Sequence, residues 1–313
     1  MKKGFEKKHL IEELTEETIS LETKIEELKK HVDLDFIDNP LNLDELLYRS
    51  SKKCFLVENT RYTDVPEKKE SANDLQLANY WANFADVFVI DAFASMHRAH
   101  SSTAGISKFL PTYIGFLVEE EIEQLKVLVN NEMHPFVVIM GGAKVDDKIK
   151  IIENLLNKCD KLVLTGGILN TFLKVSGKNI GASLASEDEE ILKKVENVLN
   201  SHREKIYFTD KFVVKRDNSI LEISLADIHP KDIIYDNITN LTDIMNNAKI
   251  VFLNGTCGKY EDKDFEKGTL NLLKDLTRAG ARVIAGGGDA VSAITKLGFE
   301  NSFEYLSSGG GAT

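Results

Sequence analysis

Five times in the second half of the chain a short apolar run of strand length stops on glycine or on small residues leading to it, and that recurrence limits the folds open to it. Phe136 to Met140 runs into Gly141 and Gly142, Leu162 to Leu164 into Thr165, Gly166 and Gly167, and Ile250 to Leu253 into Asn254 and Gly255. Val283 to Ala285 runs into Gly286, Gly287, Gly288 and Asp289, and Phe303 to Leu306 into Ser307, Ser308 and Gly309 to Gly311. Phe136 to Met140 shows no polar alternation, which suits a parallel strand covered on both faces. Helix-like sequence follows every run except the last. Strands alternating with helices imply an α/β chain with a doubly wound parallel sheet and right-handed crossovers. Ligands of such sheets bind beyond the carboxyl ends of the strands, where all these glycines fall.

The first of these runs continues as GGAKVDDKIKIIENLL. Gly141 and Gly142 allow a tight turn and a close backbone approach to a ligand. Lys144 and Lys148 are four apart, so a helix opening there presents both on one face. Ile149, Ile151, Ile152, Leu155 and Leu156 supply the stripe that anchors that helix to the sheet. Backbone N–H groups at the helix start join the lysines in holding phosphate. A lone lysine pair is more often a solvated helix face; recurrence of the strand and glycine pattern favours the anion site.

With 313 residues the chain is long enough for two domains, and 42% apolar with 28% charged residues is ordinary for a globular protein. A formal net charge of −11 argues against nucleic acid as a partner. It is compatible with a phosphate-bearing metabolite if basic side chains gather in a cleft. No stretch reaches the length of a membrane span, and MKKGFEKKHL lacks the apolar core of a signal peptide. Cys54, Cys159 and Cys257 match no metal or redox spacing, so a reduced, cytoplasmic protein is expected.

Residues 5 to 32 read as a charged amphipathic helix, strands are expected at Cys54 to Val57 and Val87 to Ile90, and residues 66 to 83 read as a polar entry into a helix. Residues 115 to 135 form a long helix ending at Pro135, a natural connector between domains. The domains expected are therefore 1–113, the connecting helix 114–134, and 135–313. Arg61 lies just past the first of these strands, and His97, Arg98 and His100 follow the second. Arginine forks match phosphate and carboxylate oxygens, and histidine adds a donor. Arg61 alone is most simply a solvated loop residue. Two arginines and two histidines at strand ends of one sheet read instead as a second anion site. Two anion sites on two α/β domains have the layout of a hinge-closing phosphoryl-transfer enzyme.

The blocks ENTRY, DAFASMHRAHSSTAGI, PFVVIMGGAKVDDKI, TGGILNTFLK, NGTCGKYE, AGGGDAVSA and SSGGGAT occur here in the order and at about the separations found in phosphoglycerate kinase. The chain resembles that family from about residue 20 onward. The resemblance implies two Rossmann-like domains joined by a long helix, the first binding phosphoglycerate and the second a nucleotide with Mg2+. It implies reversible phosphoryl transfer between 1,3-bisphosphoglycerate and ADP, giving 3-phosphoglycerate and ATP, by a monomer acting in glycolysis. By position, Arg61, His97 and Arg98 resemble the substrate ligands. Lys144 resembles the lysine that meets the moving phosphoryl group, and Lys148 the lysine on the nucleotide phosphates. Gly166, Gly167, Asn254, Glu261, Gly287, Gly288, Asp289 and Ala290 resemble nucleotide contacts, Glu261 on the ribose hydroxyls and Asp289 toward the metal. Gly287 and Gly310 resemble catalytic glycines, and Gly309 to Gly311 offer N–H groups to the phosphoryl in transit.

The chain also departs from the family pattern. The D-F-N-x-P and S-H-L-G-R-P strands that open the family are absent, and the chain stops at Thr313 before the usual tail. An incomplete N-terminal domain is therefore expected, with Mg-ADP binding and little or no turnover for this chain alone. A diverged or fragmentary nucleotide-binding relative without turnover is the alternative function. Thr256, Cys257 and Lys259 replace Pro, Met or Val, and Val; Ala290 replaces a hydroxyl residue; and Asp236 lacks the Gly-Pro that usually follows.

Overall fold

In the computed structural model, residues 25–44, 48, 50–61, 64, 67–130, 133–146, 148–239 and 241–309 are described. The chain divides into two compact units, one of Met1–Ile90 with Met96–Gly115, the other of Asp91–Ser95 with Phe116–Thr313. Most of the helix read at residues 5 to 32 lies outside the described residues. No helix among the described residues is long and apolar enough to cross a membrane.

In the first unit, strands β1 (Leu34–Ile37) and β2 (Cys54–Val57) pair in parallel. Helix α1 (Leu75–Ala82) starts where Asp74 caps it, its carboxylate accepting from the backbone of Gln76 and Leu77. Its apolar face carries Leu77 and Trp81 onto Ile37 and Leu43, with Phe55 and Val57 alongside. The Trp81 indole is buried at no polar cost because it donates to the Pro40 carbonyl at 2.8 Å. Strands β3 (Phe88–Ile90) and β4 (Thr112–Ile114) form a second parallel pair. Strands β1 and β4 have no counterpart in the sequence reading: Asp35 interrupts the apolar run of β1, and β4 is exposed throughout. Among the described residues of this unit the strands make two separate two-stranded sheets.

The second unit opens with helix α2 (Phe116–Asn130), so the expected connector packs as part of this unit. Strand β5 (Phe136–Met140), helix α3 (Ile149–Leu156), strand β6 (Lys161–Leu164) and helix α4 (Gly166–Val175) follow. Helix α5 (Glu189–His202) leads to strand β7 (Ile206–Tyr207), and strands β8 (Lys211–Arg216), β9 (Ser219–Ser224) and β10 (Tyr235–Asp236) come next. Strand β11 (Ile250–Asn254), helix α6 (Lys267–Arg278), strand β12 (Arg282–Gly286), helix α7 (Gly288–Lys296) and strand β13 (Tyr305–Ser307) close the order. The main sheet has the order β13-β12-β11-β5-β6-β7, with every neighbouring pair parallel. Every residue of β5 is at most 1% exposed, as a strand covered on both faces must be, and burying each such side chain contributes about 1.5–3 kcal/mol.

The chain winds outward from β5 through β6 and β7 and returns on the other side at β11. The sheet's switch point thus lies between β5 and β11, whose ends are level: Met140 pairs with Asn254, and Asn254 with Gly286. This doubly wound order is the one the glycine-ended runs imply.

A three-stranded antiparallel sheet, β10-β8-β9, has no counterpart in the sequence reading. Strand β9 is mostly exposed, so it lacks the apolar run that marks the buried strands. Arg216 anchors its edge, bonding Asp232 from Nε at 3.0 Å and from a terminal nitrogen at 2.5 Å, while Asp232 also accepts from the His229 N–H. The Arg216 hydrogen bond holds the Asp232 carboxyl down to about 2. A depressed carboxyl pKa stabilises the fold above its unfolded value, about 3.9, and that contribution is lost as pH falls toward the folded value. The stability difference between wild type and Arg216→Gln is therefore expected to shrink between about pH 4 and pH 2 in urea titrations; a difference constant across that window would contradict the assignment.

Candidate functional site

At the switch point the backbones of three loops meet with no room for side chains. The Gly141 N–H donates to the Asn254 carbonyl at 2.7 Å. A Cβ on Gly141 would lie 2.5 Å from the Thr256 carbonyl oxygen, and one on Gly167 only 2.0 Å from that of Ala143. Glycine at both positions is a packing requirement. Lys148 spans this junction, its Nζ donating to the Gly141 carbonyl and to Asn254 Oδ1, each at 2.6 Å. Gly287, with φ of +93°, abuts the same asparagine: its Cβ would fall 3.3 Å from Asn254 Oδ1. Lys148, Asn254 and Gly287 are thus one cluster at the ends of β5, β11 and β12.

Lys144 is placed differently from the sequence reading. Helix α3 starts at Ile149, so Lys144 sits exposed on the preceding loop and the two lysines share no helix face. The delay has a local cause: Val145 turns fully inward, and its carbonyl accepts from the N–H groups of Lys148 and Ile149 in a turn that precedes the helix.

Beside the cluster opens a cavity of about 590 Å3. Gly166, Gly167, Glu261 and Asp289 line it, together with Gly142, against which the Lys148 ammonium packs. Glu261, Gly288 and Asp289 are exposed, with Gly288 and Asp289 in the first turn of α7, whereas Ala290 is buried in the core beneath that turn. A smaller cavity of about 250 Å3, lined by residues from Glu153 to His202 on α3 and α5, has no strand end or glycine turn.

Sequence reasoning missed Ser183, Leu184, Ile233 and Ile234, which line the larger cavity together with Tyr235 and Asp236; of this wall it singles out only the segment at Asp236, for lacking the usual Gly-Pro. These residues come from an irregular segment and from the approach to and strand of β10, joined by the Ala182 N–H donating to Asp232 O and the Ile234 N–H to Ser183 Oγ. Single apolar residues in such segments carry no periodic signal. Asp236 is buried among them; burial pushes its carboxyl up, and its Oδ1 accepts from the N–H groups of Gly166 and Gly258. Burial likewise raises the thiol of neighbouring Cys257 well above its ordinary value.

The end of β13 is held by helix α2. Glu121, 0% exposed, accepts from Ser308 N at 2.7 Å and Oγ at 2.6 Å, and its charge together with burial pushes Tyr305 up to about 12. A sequence signal exists here: Glu121 falls on the stripe Val118, Leu125, Leu128, a charged residue at a core position. The Gly309 carbonyl accepts from Gly287 N–H at 2.8 Å, while the Gly309 N–H donates to Ser307 Oγ. Gly310 lies outside the described residues.

In the first unit Arg61, His97 and Arg98 are all exposed. Their two loops are tied by Glu70, 1% exposed, which the sequence reading did not single out. Its carboxylate accepts from Thr60 Oγ1 at 3.1 Å, beside Arg61, and from Ser102 N at 3.0 Å and Ser102 Oγ. The Glu70 carbonyl accepts from Ser101 N–H. Glu70 therefore sets the spacing of the basic residues while touching none of the three.

A metal fits only in a limited sense. Among the described residues no group of three His, Cys, Asp or Glu could hold one. The exposed Asp289 carboxylate suits instead a magnesium ion that arrives on phosphate oxygens and keeps its waters.

A profile of the family described as Phosphoglycerate kinase matches residues 7–313. A phosphoglycerate kinase of Staphylococcus aureus (strain JH9) is 40% identical over 316 residues, covering 96% of this chain and 79% of that relative. The structure of phosphoglycerate kinase from Coxiella burnetii superposes with a TM-score of 0.70 at 33% identity, over 83% of this chain and 69% of that one. The Pyrococcus horikoshii OT3 enzyme gives 0.78 at 26%, over 93% and 77%.

Removing the Glu70 carboxylate takes the acceptor from Ser102 N–H and from the half-buried Thr60 and Ser102 hydroxyls, so Glu70→Ala should cost about 1–3 kcal/mol in urea unfolding followed by Trp81 fluorescence. An unchanged midpoint would show that the two loops are held by other contacts.

Proposed function

Because the chain belongs to the phosphoglycerate kinase family, we propose that its second unit binds ADP or ATP with Mg2+ at the β5–β11 switch point and its first unit binds 3-phosphoglycerate or 1,3-bisphosphoglycerate. The observation that carries this reading is Lys148, held at 2.6 Å by both Gly141 and Asn254 next to a cavity that ends on Asp289. Fixing this cation in place beforehand removes the reorganisation cost at the moment of transfer.

In the forward direction a β-phosphate oxygen of ADP attacks the acyl phosphate's phosphorus. The P–O bond to the carboxyl carbon's oxygen breaks with its electron pair, leaving the carboxylate of 3-phosphoglycerate and forming ATP. No protein nucleophile is required, so this chain's residues position the partners and neutralise charge. Lys148 draws on the nucleotide phosphates and Lys144, free to swing on its loop, on the transferring phosphoryl. Glu261 accepts from the ribose hydroxyls, and the backbone at Gly166 and Gly167 leaves space for the nucleoside. Gly287 and Gly288 let phosphate oxygens approach the first turn of α7, whose N–H groups favour anions. Bound magnesium would supply charge neutralisation between phosphate oxygens, with Asp289 as its protein ligand. Arg61, Arg98 and His97 meet the 3-phosphate and carboxylate of the other substrate.

A coupled assay of the full chain with 3-phosphoglycerate and MgATP tests the reading. Family membership makes turnover the expected result, in place of the little or none read from the sequence, with Lys148→Ala lowering kcat by about 10²–10³ and Arg98→Ala acting mainly on the KM for 3-phosphoglycerate. MgADP binding without any turnover would favour the nucleotide-binding alternative, and neither binding nor turnover by folded protein would overturn both readings.

A further inference from the structure

Asp236 is the most conspicuous polar group of the second unit without a role in the chemistry above. Its backbone belongs to β10, fixed by antiparallel pairing of Asp236 with Phe212 of β8, so it reaches toward the main sheet from the smaller one. Its Oδ1 accepts from Gly166 N at 2.9 Å and from Gly258 N at 3.1 Å, while Oδ2 is buried without a hydrogen-bond partner. Its own carbonyl accepts from Cys257 Sγ at 3.2 Å and is closed off by Gly268, where a Cβ would approach to 2.4 Å.

The two loops it grips both line the cavity: Gly166 leads into Gly167, and Gly258 into Lys259 and Glu261. Both glycines have positive φ, +63° and +65°; Thr165 Oγ1 also joins the two loops by donating to the Thr256 carbonyl at 2.8 Å, and Asp236 adds the contacts that reach the glycine N–H groups themselves. Removing the acceptor would leave each N–H, on a half-buried glycine of the cavity wall, without its protein partner.

We propose that Asp236 is a positioning residue for the nucleotide: one oxygen fixes the spacing of the Gly166 and Gly258 loops, acting as an acceptor of defined shape and not as a charge. A carboxyl that uses a single oxygen for both contacts, and whose other oxygen faces no cation, has no bond that an amide could not reproduce. The burial that raises its pKa acts in the same direction, by favouring the neutral form. Asn237 and Ile238, which follow this aspartate where Gly-Pro is usual, are fully buried.

The inference rests on the nucleotide-site reading, and the experiment separates the two. MgADP is titrated calorimetrically into wild type, Asp236→Asn and Asp236→Ala, and the KM values for ADP and 3-phosphoglycerate are measured for each. Asp236→Ala is expected to lose about tenfold or more in ADP affinity while the 3-phosphoglycerate KM stays within about twofold, because two hydrogen bonds of the nucleotide wall are gone. Asp236→Asn, the conservative replacement, is expected to stay within about threefold of wild type. If Asp236→Ala does not fold, Asp236→Ser, too short to span both N–H groups, takes its place. An Asp236→Asn protein as weak for ADP as the alanine or serine variant would overturn the proposal by showing that the charge is needed. An alanine or serine variant with unchanged ADP affinity would overturn it by showing that the tie is not. Wild type that binds no MgADP would overturn the nucleotide-site reading and this inference with it.

Discussion

Everything at the proposed nucleotide site depends on how closely the backbones of β5 and β11 approach beyond their last paired residues. The Gly141 N–H reaches the Asn254 carbonyl at 2.7 Å, and Lys148 closes the other side of the same junction by bonding the Gly141 carbonyl and the Asn254 amide. That approach requires glycine at 141 and 255, since a Cβ at Gly255 would meet the Gly141 carbonyl at 2.4 Å. It also requires the two strands to be level, which their register provides. A sheet that reverses winding direction between these strands leaves a crevice there, and the lysine is the charge at its floor.

The remaining parts differ in how they are secured. Asp289 and Glu261 extend into solvent from elements fixed by the core, so they are free to meet a ligand. Glu70, Glu121 and Asp236 are buried acids that bond the backbones of loops. The division is physically sensible: a buried acid costs too much to leave unpaired, so it is spent on backbone N–H groups whose position matters, while the groups that meet substrate stay wet. In each case the buried acid sits next to a functional loop without belonging to it.

Much of this was legible in the sequence because it rests on patterns with a local cause. Phe136 to Met140 announces a doubly buried strand by apolarity alone, and the glycines after each run announce the strand ends where ligands gather. Lys148 and Asn254 could each be picked out, but their pairing could not: they are 106 residues apart, and only the strand order joins them. Lys144 was assigned to a helix face because spacing of four favours one, and the inward turn of Val145 overrode that preference. Strands β8 to β10 and the cavity-lining residues Ser183, Leu184, Ile233 and Ile234 were invisible for a related reason. An exposed strand and irregular segments have no periodicity, and their contribution arises only when tertiary contacts bring them together.

The most direct test of the central claim, that the Lys148–Asn254–Gly287 junction is where the nucleotide phosphates sit, is a crystal structure of the full chain with magnesium and a non-hydrolysable nucleotide. The account predicts phosphate oxygens within hydrogen-bonding reach of Lys148 Nζ, with the metal on Asp289 and the nucleoside between Gly166–Gly167 and Glu261. Nucleotide density elsewhere on the second unit, out of reach of Lys148 Nζ, would contradict it.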